Sequence, residues 1–382
     1  MKKHLHHIRH DERGMSLIIV GMGMMAFMAA GMLAVDVGML MTSRAQSQNA
    51  ADAGAFAGAI ALAYNDYTDR SSSGPAVTGA IAAAKANTVM HQEVSVTPAD
   101  VEFPNDPSGE PNRVMVTVRR TAARGNPLTT FMASMFGHAS LDIGATATAE
   151  SVKANAESCV KPWAIPDSWT EGNPSPPGVW DTSQTFIGPR SPTVPKDIFR
   201  DVTRTNYTGY TPGKVGVRIK LTPEDAAHTI DPDMYYALRL PGASGEADFV
   251  SNILGCESSK MKIGDALTVE TAATTLDTVR SVTELIARDP AAYWNSASGR
   301  VVSAQVPSPR VVVIPVYDPL AFDQGKKVGD FTQIKISNFV GFFIDHLEGD
   351  DVVGRITPVA GLLDTSGPAP VGSFARAIRL VQ

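Results

Sequence analysis

Four histidines open the chain, His4, His6, His7 and His10, at spacings that can ligate a transition metal. Imidazole ligands are held by neighbours that fix their tautomer and orientation, and a short polar tail supplies none. A solvated tail is therefore expected. Ser259 and Lys262 have the spacing of a serine nucleophile and its lysine base. They lead into Ile263-Gly264-Asp265 rather than a helix, so the pair lacks the setting that chemistry needs. His346, Glu348, Asp350 and Asp351 form an acidic turn that reads as solvated loop charge. Asp231, Asp233, Glu246 and Asp248 could collect Ca²⁺ only if the fold made their oxygens converge. The chain contains no His-Glu-x-x-His, no Gly-x-Ser-x-Gly, no phosphate-cradling glycine loop with lysine and no Cys/His ligand spacing. The expectation is a non-enzymatic protein, with no catalytic residue, no metal and no cofactor, that works by contact.

The element that must position everything else is Leu17 to Val35, LIIVGMGMMAFMAAGMLAV, which holds no charged side chain. At about 1.5 Å per helical residue it spans roughly 29 Å, close to the hydrocarbon thickness of a bilayer. Lys2, Lys3, Arg9 and Arg13 precede it, against Asp11 and Glu12, whereas only Arg44 and Arg70 occur in the next forty residues. Clustered Lys and Arg stay on the cytoplasmic side, so the tail is expected inside and the remainder exported. Two other readings of the run stay open. One is a secretory signal cleaved at Ser43-Arg44-Ala45, the other a helix buried in a soluble core.

Small residues Ala26, Ala30, Ala34, Gly38 and Thr42 recur every four positions, a spacing that lets membrane helices approach closely. Asp36 stands where the apolar run meets the interface, either reaching water or pairing with a cation of a partner. Helical spacing of Phe56, Ile60, Ala63 and Tyr67, with no proline, predicts one helix from Leu17 to about Tyr67. Ser71-Ser72-Ser73-Gly74-Pro75 then breaks it, and Val77 to Val89 is a second helix.

Composition fits an exported globular body. The chain has 382 residues, 43% of them hydrophobic, and a net charge of −6 without a basic stripe, which argues against non-specific nucleic-acid binding, and no nucleic acid is expected as a partner. Cys159 and Cys256 both follow the apolar run, in a compartment that permits disulfides. A Cys159–Cys256 bridge is expected, with two buried free thiols as the alternative.

Arg13-Gly14, the apolar run, Leu33-Ala34-Val35-Asp36-Val37-Gly38 and Gln48-Asn49-Ala50-Ala51-Asp52-Ala53 together resemble the N-terminal region of TadG-like (TadE/TadG) proteins of the bacterial tight-adherence, or Flp, pilus system. The resemblance covers roughly the first 65 residues. It implies an inner-membrane protein whose periplasmic part helps build or anchor a pilus. It marks Gly14, Gln48, Asn49, Ala50, Ala51 and Asp52 as family-motif positions. In pilins and TadE-like pseudopilins a cleaved Gly is followed by Glu at the fifth mature position; here that position is Ile19. Many longer TadG proteins carry a von Willebrand A domain, whose metal motif has its nearest match in Asp181-Thr182-Ser183-Gln184-Thr185. Pro176, Pro177 and Gly178 stand where the buried strand before that motif should be.

The remaining pattern gives the fold class. Strands are expected at Glu93 to Phe103, Arg113 to Arg120 and Ser140 to Val152, with a short helix at Pro127 to Phe136. Pro162, Pro166, Pro174, Pro176 and Pro177 among Trp163, Trp169 and Trp180 mark an irregular stretch. Beyond it, strands are expected at Lys214 to Leu221, Met234 to Leu240, Val311 to Tyr317, Thr332 to Ile344, Val352 to Val359 and Phe374 to Val381, with one helix at Thr275 to Arg288. The prediction is α+β: a cytoplasmic tail (1–15), a transmembrane helix (16–41), a helical stalk with a small pilin-like α+β module (42–155) and a β-rich exported domain (156–382). Expected partners are the lipid bilayer, other pilus-assembly or pilin-like membrane proteins, and a second copy of the chain. The alternative is a membrane-tethered envelope module that binds a surface ligand.

Overall fold

In a computed structural model the described residues are 13–64, 69–135, 137–172, 180–225, 227–243, 245–305, 307–326 and 332–381. The tail histidines, Lys2, Lys3, Arg9, Asp11, Glu12, Tyr67, Pro174, Pro176, Pro177 and Gly178 lie outside them. The chain forms two compact units, one of Met1–Leu62, Asp66–Glu150 and Leu380–Gln382, the other of Ala63–Asn65 and Ser151–Arg379.

In the first unit, helix α1 (Arg13–Tyr64) runs 52 residues without interruption, about 78 Å. Its most apolar eighteen-residue stretch has no buried residue. From Ser43 onward one face is buried, carrying Ser47, Ala50, Ala51, Gly54, Ala55, Gly58, Ala59 and Leu62. Helix α2 (Pro75–Ala86) starts on a proline whose missing N–H costs nothing in the first turn, and buries Ala76, Val77, Ala80 and Ala84. Then come β1 (Val101–Glu102), β2 (Arg113–Arg120), β3 (Leu128–Thr129), α3 (Met132–Met135), β4 (Ser140–Leu141) and β5 (Ile143–Lys153). Strand β2 lies antiparallel between β1 and β5, in register from Arg113↔Glu150 to Arg120↔Ile143. Its alternation buries Val114, Val116 and Val118.

Two local expectations are corrected. The strand expected over 93–103 shrinks to β1, because the Asp100 carboxylate accepts the Thr97 backbone N–H at 2.9 Å and its hydroxyl at 2.6 Å, tightening Pro98–Asp100 into a 3₁₀ turn. The helix expected over 127–136 is instead a hairpin, β3 pairing with β4, with the four-residue α3 near its tip.

The second unit contains β6 (Ala156–Glu157), β7 (Trp163–Pro166), β8 (Arg218–Pro223), β9 (Met234–Arg239), α4 (Gly245–Leu254), β10 (Met261–Lys262), β11 (Ala266–Val269) and α5 (Thr275–Arg288). It continues with β12 (Tyr293–Asn295), β13 (Arg300–Val302), β14 (Val311–Tyr317), α6 (Pro319–Lys326), β15 (Gln333–Glu348), β16 (Asp351–Thr357) and β17 (Arg376–Val381), whose residues from Leu380 onward count with the first unit. The main sheet runs β11-β15-β14-β7-β9-β8-β16, and β15 also pairs with β16. The pairings from β15 through β14, β7, β9, β8 and β16 thus return to β15, closing a ring that leaves these strands no free edge. Alternate residues feed two cores. Trp163, Ile165, Tyr235, Val312, Ile314, Phe342 and Ile344 pack with α4 and α5 through Phe249, Ile253, Val282 and Leu285. Ala164, Tyr236, Leu238, Tyr317, Ile336 and Phe339 form the other.

Buried polar groups here serve the fold. Asp167 accepts from the Tyr207 hydroxyl at 2.6 Å, the Ser337 hydroxyl at 2.8 Å and the Tyr210 and Ser168 N–H groups at 2.9 and 3.0 Å. Burial still pushes its carboxyl up to about 6. A side chain at Gly209 would collide with it, since a Cβ there would stand 2.2 Å from an Asp167 oxygen. The buried Arg310 guanidinium donates to the carbonyls of Ile344, Asp289 and Ala292 at 2.9, 3.0 and 2.9 Å, and to that of Asp345. Cys159 and Cys256 are joined in a disulfide, 97 positions apart.

Candidate functional site

The residues singled out by sequence fall along α1. Ala26, Ala30, Ala34, Gly38 and Thr42 are all exposed, and no atom lies within 4 Å of where a Gly38 Cβ would be. At about 100° per residue, steps of four drift by about 40°, so these positions form an inclined ridge rather than a straight strip. Asp36 lies about 160° around the helix from both Ala34 and Gly38. Its carboxylate accepts the backbone N–H groups of Phe131 at 2.8 Å and Ala133 at 2.9 Å, so it is engaged with the tip of the β3–β4 hairpin while the ridge stays open.

Further along the helix the family-motif residues divide into two faces. Ala50 and Ala51 are fully buried, beside Gly54 and Gly58. A Cβ at Gly58 would stand 2.7 Å from the Val114 side chain and 3.1 Å from that of Ala80; at Gly54 it would be 3.0 Å from Ala84 and 3.2 Å from Val116. The small residues are therefore what lets α1 approach α2 and β2 so closely. Gln48 donates to Asp52 at 2.8 Å and to the Thr146 carbonyl of β5 at 3.4 Å. Asn49 is exposed. Asp52, Ala53, Phe56, Ala57, Ile60 and Leu380 line an open, largely apolar groove of about 480 Å³ on the outer face. Gly54 and Gly58 were not singled out from sequence. Their spacing of four inside an alanine-rich helix was the available signal.

Elsewhere the chemical candidates are held apart or satisfied by their own loops. The Ser259 hydroxyl donates to Glu257 at 2.8 Å, while the Lys262 ammonium lies 3.9 Å from Asp364. Asp181 accepts from the Ser183 N–H and hydroxyl and from Gln184, at 2.9, 2.6 and 2.9 Å, so both oxygens cap its own turn. His346 sits 3.2 Å from Glu348, which pairs with Arg218 at 2.5 Å, and Asp351 pairs with Lys220 at 2.8 Å: an ion network on the β15–β16 hairpin. Asp231 accepts the Asp233 N–H and Asp233 that of Lys220, each at 3.0 Å, whereas Glu246 and Asp248 belong to the first turn of α4. Among the described residues, no group of three or more His, Cys, Asp or Glu side chains is placed to hold a metal ion.

One helix among the described residues is long and apolar enough to span a membrane, as in a single-pass membrane protein, and the folded parts follow it in the chain. That helix belongs to a recognised class: residues 14–61 match the Tad family model of Flp pilus-assembly TadE/G-like proteins, so the N-terminal region is TadE/G-like, in agreement with the resemblance read from its motifs. The matched residues are about an eighth of the chain, and they support an involvement in Flp pilus assembly. Comparisons with curated proteins and with solved structures give no match.

Proposed function

We propose that the chain is a single-pass inner-membrane component of Flp pilus assembly or anchoring that acts through protein contacts and not through catalysis. Its N-terminus lies in the cytoplasm, and both compact units are exported to the periplasm. One coincidence carries this reading. The family match over residues 14–61 covers both the exposed apolar half of α1 and the half that packs through Ala50, Ala51, Gly54 and Gly58. A helix so built enters lipid with one half and founds a folded module with the other. Arg13 before the apolar run and the Cys159–Cys256 bridge after it support the orientation, since bridges form in the exported compartment.

Within the membrane, the ridge of Ala26, Ala30, Ala34 and Gly38 docks another pilus-assembly helix at close range, as small residues permit. Asn49 and Asp52 face outward just beyond it. In a strain lacking the gene, pili should be lost and be restored by the wild-type chain but not by Ala34→Phe/Gly38→Phe. Alkaline carbonate should leave the full-length chain in the membrane. Release by carbonate, or full rescue by the ridge variant, would overturn the respective halves of this proposal. Crosslinking through Ala34→Cys separates a different partner from a second copy of the chain.

A further inference from the structure

Asp36 is the first charged residue after Arg13, so on the reading that α1 spans the membrane it marks the level at which hydrocarbon gives way to headgroups. The β3–β4 hairpin is tied to that level. Two of its backbone N–H groups donate directly to the Asp36 carboxylate, so Phe131 stands within a side-chain length of Asp36 wherever the bilayer surface lies.

The hairpin is also composed for such a place. From Gly125 to Leu141 the sequence has no Asp, Glu, Lys or Arg, and Phe131 is 64% exposed, with Leu141 also exposed. Taking a Phe side chain out of water is favourable, so an apolar phase is a fitting place for one. Backbone groups meeting the edge of hydrocarbon must find partners within the protein, and five of the hairpin's N–H groups do. The Thr130 N–H donates to the Ala139 carbonyl at 3.2 Å, His138 to Ala133 at 2.8 Å and Gly137 to Ser134 at 3.1 Å, in addition to the two N–H groups on Asp36. Apart from Asp36 at the tip, the charged side chains that bond the hairpin do so at its base. Arg120 donates to the carbonyls of Asn126 at 3.0 Å and Pro127 at 3.1 Å, and Asp142 accepts the Ala122 N–H at 2.7 Å.

We infer that the hairpin from Leu128 to Leu141 is a second membrane contact, seating Phe131 in the headgroup and upper acyl region of the leaflet where α1 emerges. Its ligand is the lipid surface itself. Asp36 is then a positioning residue that sets the depth of the hairpin.

The inference rests on the membrane-spanning reading of α1, and the test separates the two. The full-length protein is reconstituted into phosphatidylcholine/phosphatidylglycerol vesicles, with the native cysteines kept in their disulfide. A polarity-sensitive fluorophore is attached to one introduced cysteine at a time: Phe131→Cys, Met25→Cys in the middle of the apolar run, or Ser108→Cys in an exposed turn. Nitroxide-labelled lipids are the quencher. The expected result is deep quenching at Met25, and at Phe131 a shift of emission to shorter wavelength with several-fold more quenching than at Ser108. Quenching at Met25 with Phe131 no different from Ser108 would overturn the hairpin's lipid contact and leave the anchor standing. Absence of quenching at Met25 would overturn both. Phe131 is exposed and held through its backbone, so its replacement leaves the hairpin's bonds in place.

Discussion

Glu157, on β6, is almost fully buried, and one of its carboxylate oxygens has no hydrogen-bond partner. Burial pushes its carboxyl from 4.5 up to about 8. Between those values the folded chain keeps a proton that the unfolded chain has released, so stability falls as pH rises through this window. Each unit costs about 1.4 kcal/mol, and the whole interval at most about 5 kcal/mol. Glu157→Gln preserves the shape and removes the titration. In detergent, urea unfolding followed by tryptophan fluorescence reports on the β-rich unit alone, because Trp163, Trp169, Trp180 and Trp294 all belong to it. Wild type and variant should keep a constant difference below pH 4.5. From there to pH 8 the variant should gain progressively on the wild type, and above pH 8 the gap should level off. Asp167, raised to about 6, and Glu171, raised to about 7, add to the wild-type slope, but both remain in the variant and cancel from the difference. A difference that does not change between pH 5 and 8.5 would refute the claim that Glu157 is held neutral by burial.

Three further outcomes are expected. Gly58→Val should destabilise the helical module by about 1 to 3 kcal/mol, seen as earlier loss of far-ultraviolet helical signal on heating, because its Cβ would meet Val114 at 2.7 Å; the same change at Gly38, where nothing is near, should leave that transition unmoved. Reduction of Cys159–Cys256, which closes a separation of 97 positions, should lower the urea stability of the β-rich unit by about 4 to 5 kcal/mol on the chain-entropy account. Arg310→Met should cost at least about 3 kcal/mol in the same assay, since it strands the buried carbonyls of Ile344, Asp289 and Ala292.

Elements whose signal is local were legible from sequence. The apolar run and the proline-free, alanine-rich continuation foretold α1, which extends over Arg13–Tyr64. Thr275–Arg288 emerged with the bounds expected, because its apolar spacing is helical and a Thr274/Asp277 capping box starts it. The valine alternation of 113–120 likewise gave β2. What escaped depends on partners distant in sequence. Trp163–Pro166 looked irregular among prolines, yet β7 is a central strand buried at every position, paired with β14 and β9. Helices α4 and α6, of ten and eight residues, are too short to assert a period, and they owe their stability to packing. In the site, the motif positions were visible, but the reason for Ala50 and Ala51, with Gly54 and Gly58, needed α2 and β2 beside them. Sequence alone marks Asp36 as the charge that ends the apolar run, but that its acceptors serve a hairpin almost a hundred residues away could not be read from its neighbours.

The unbroken course of α1 has a mechanical consequence. With no proline or loop between its apolar half and the packed half, the helix is continuous over about 78 Å. A tilt or axial turn of the apolar segment is carried along unbroken helix to the β-sheet folded against its far half. Force exerted on that sheet is in turn carried back along the same helix to the apolar segment.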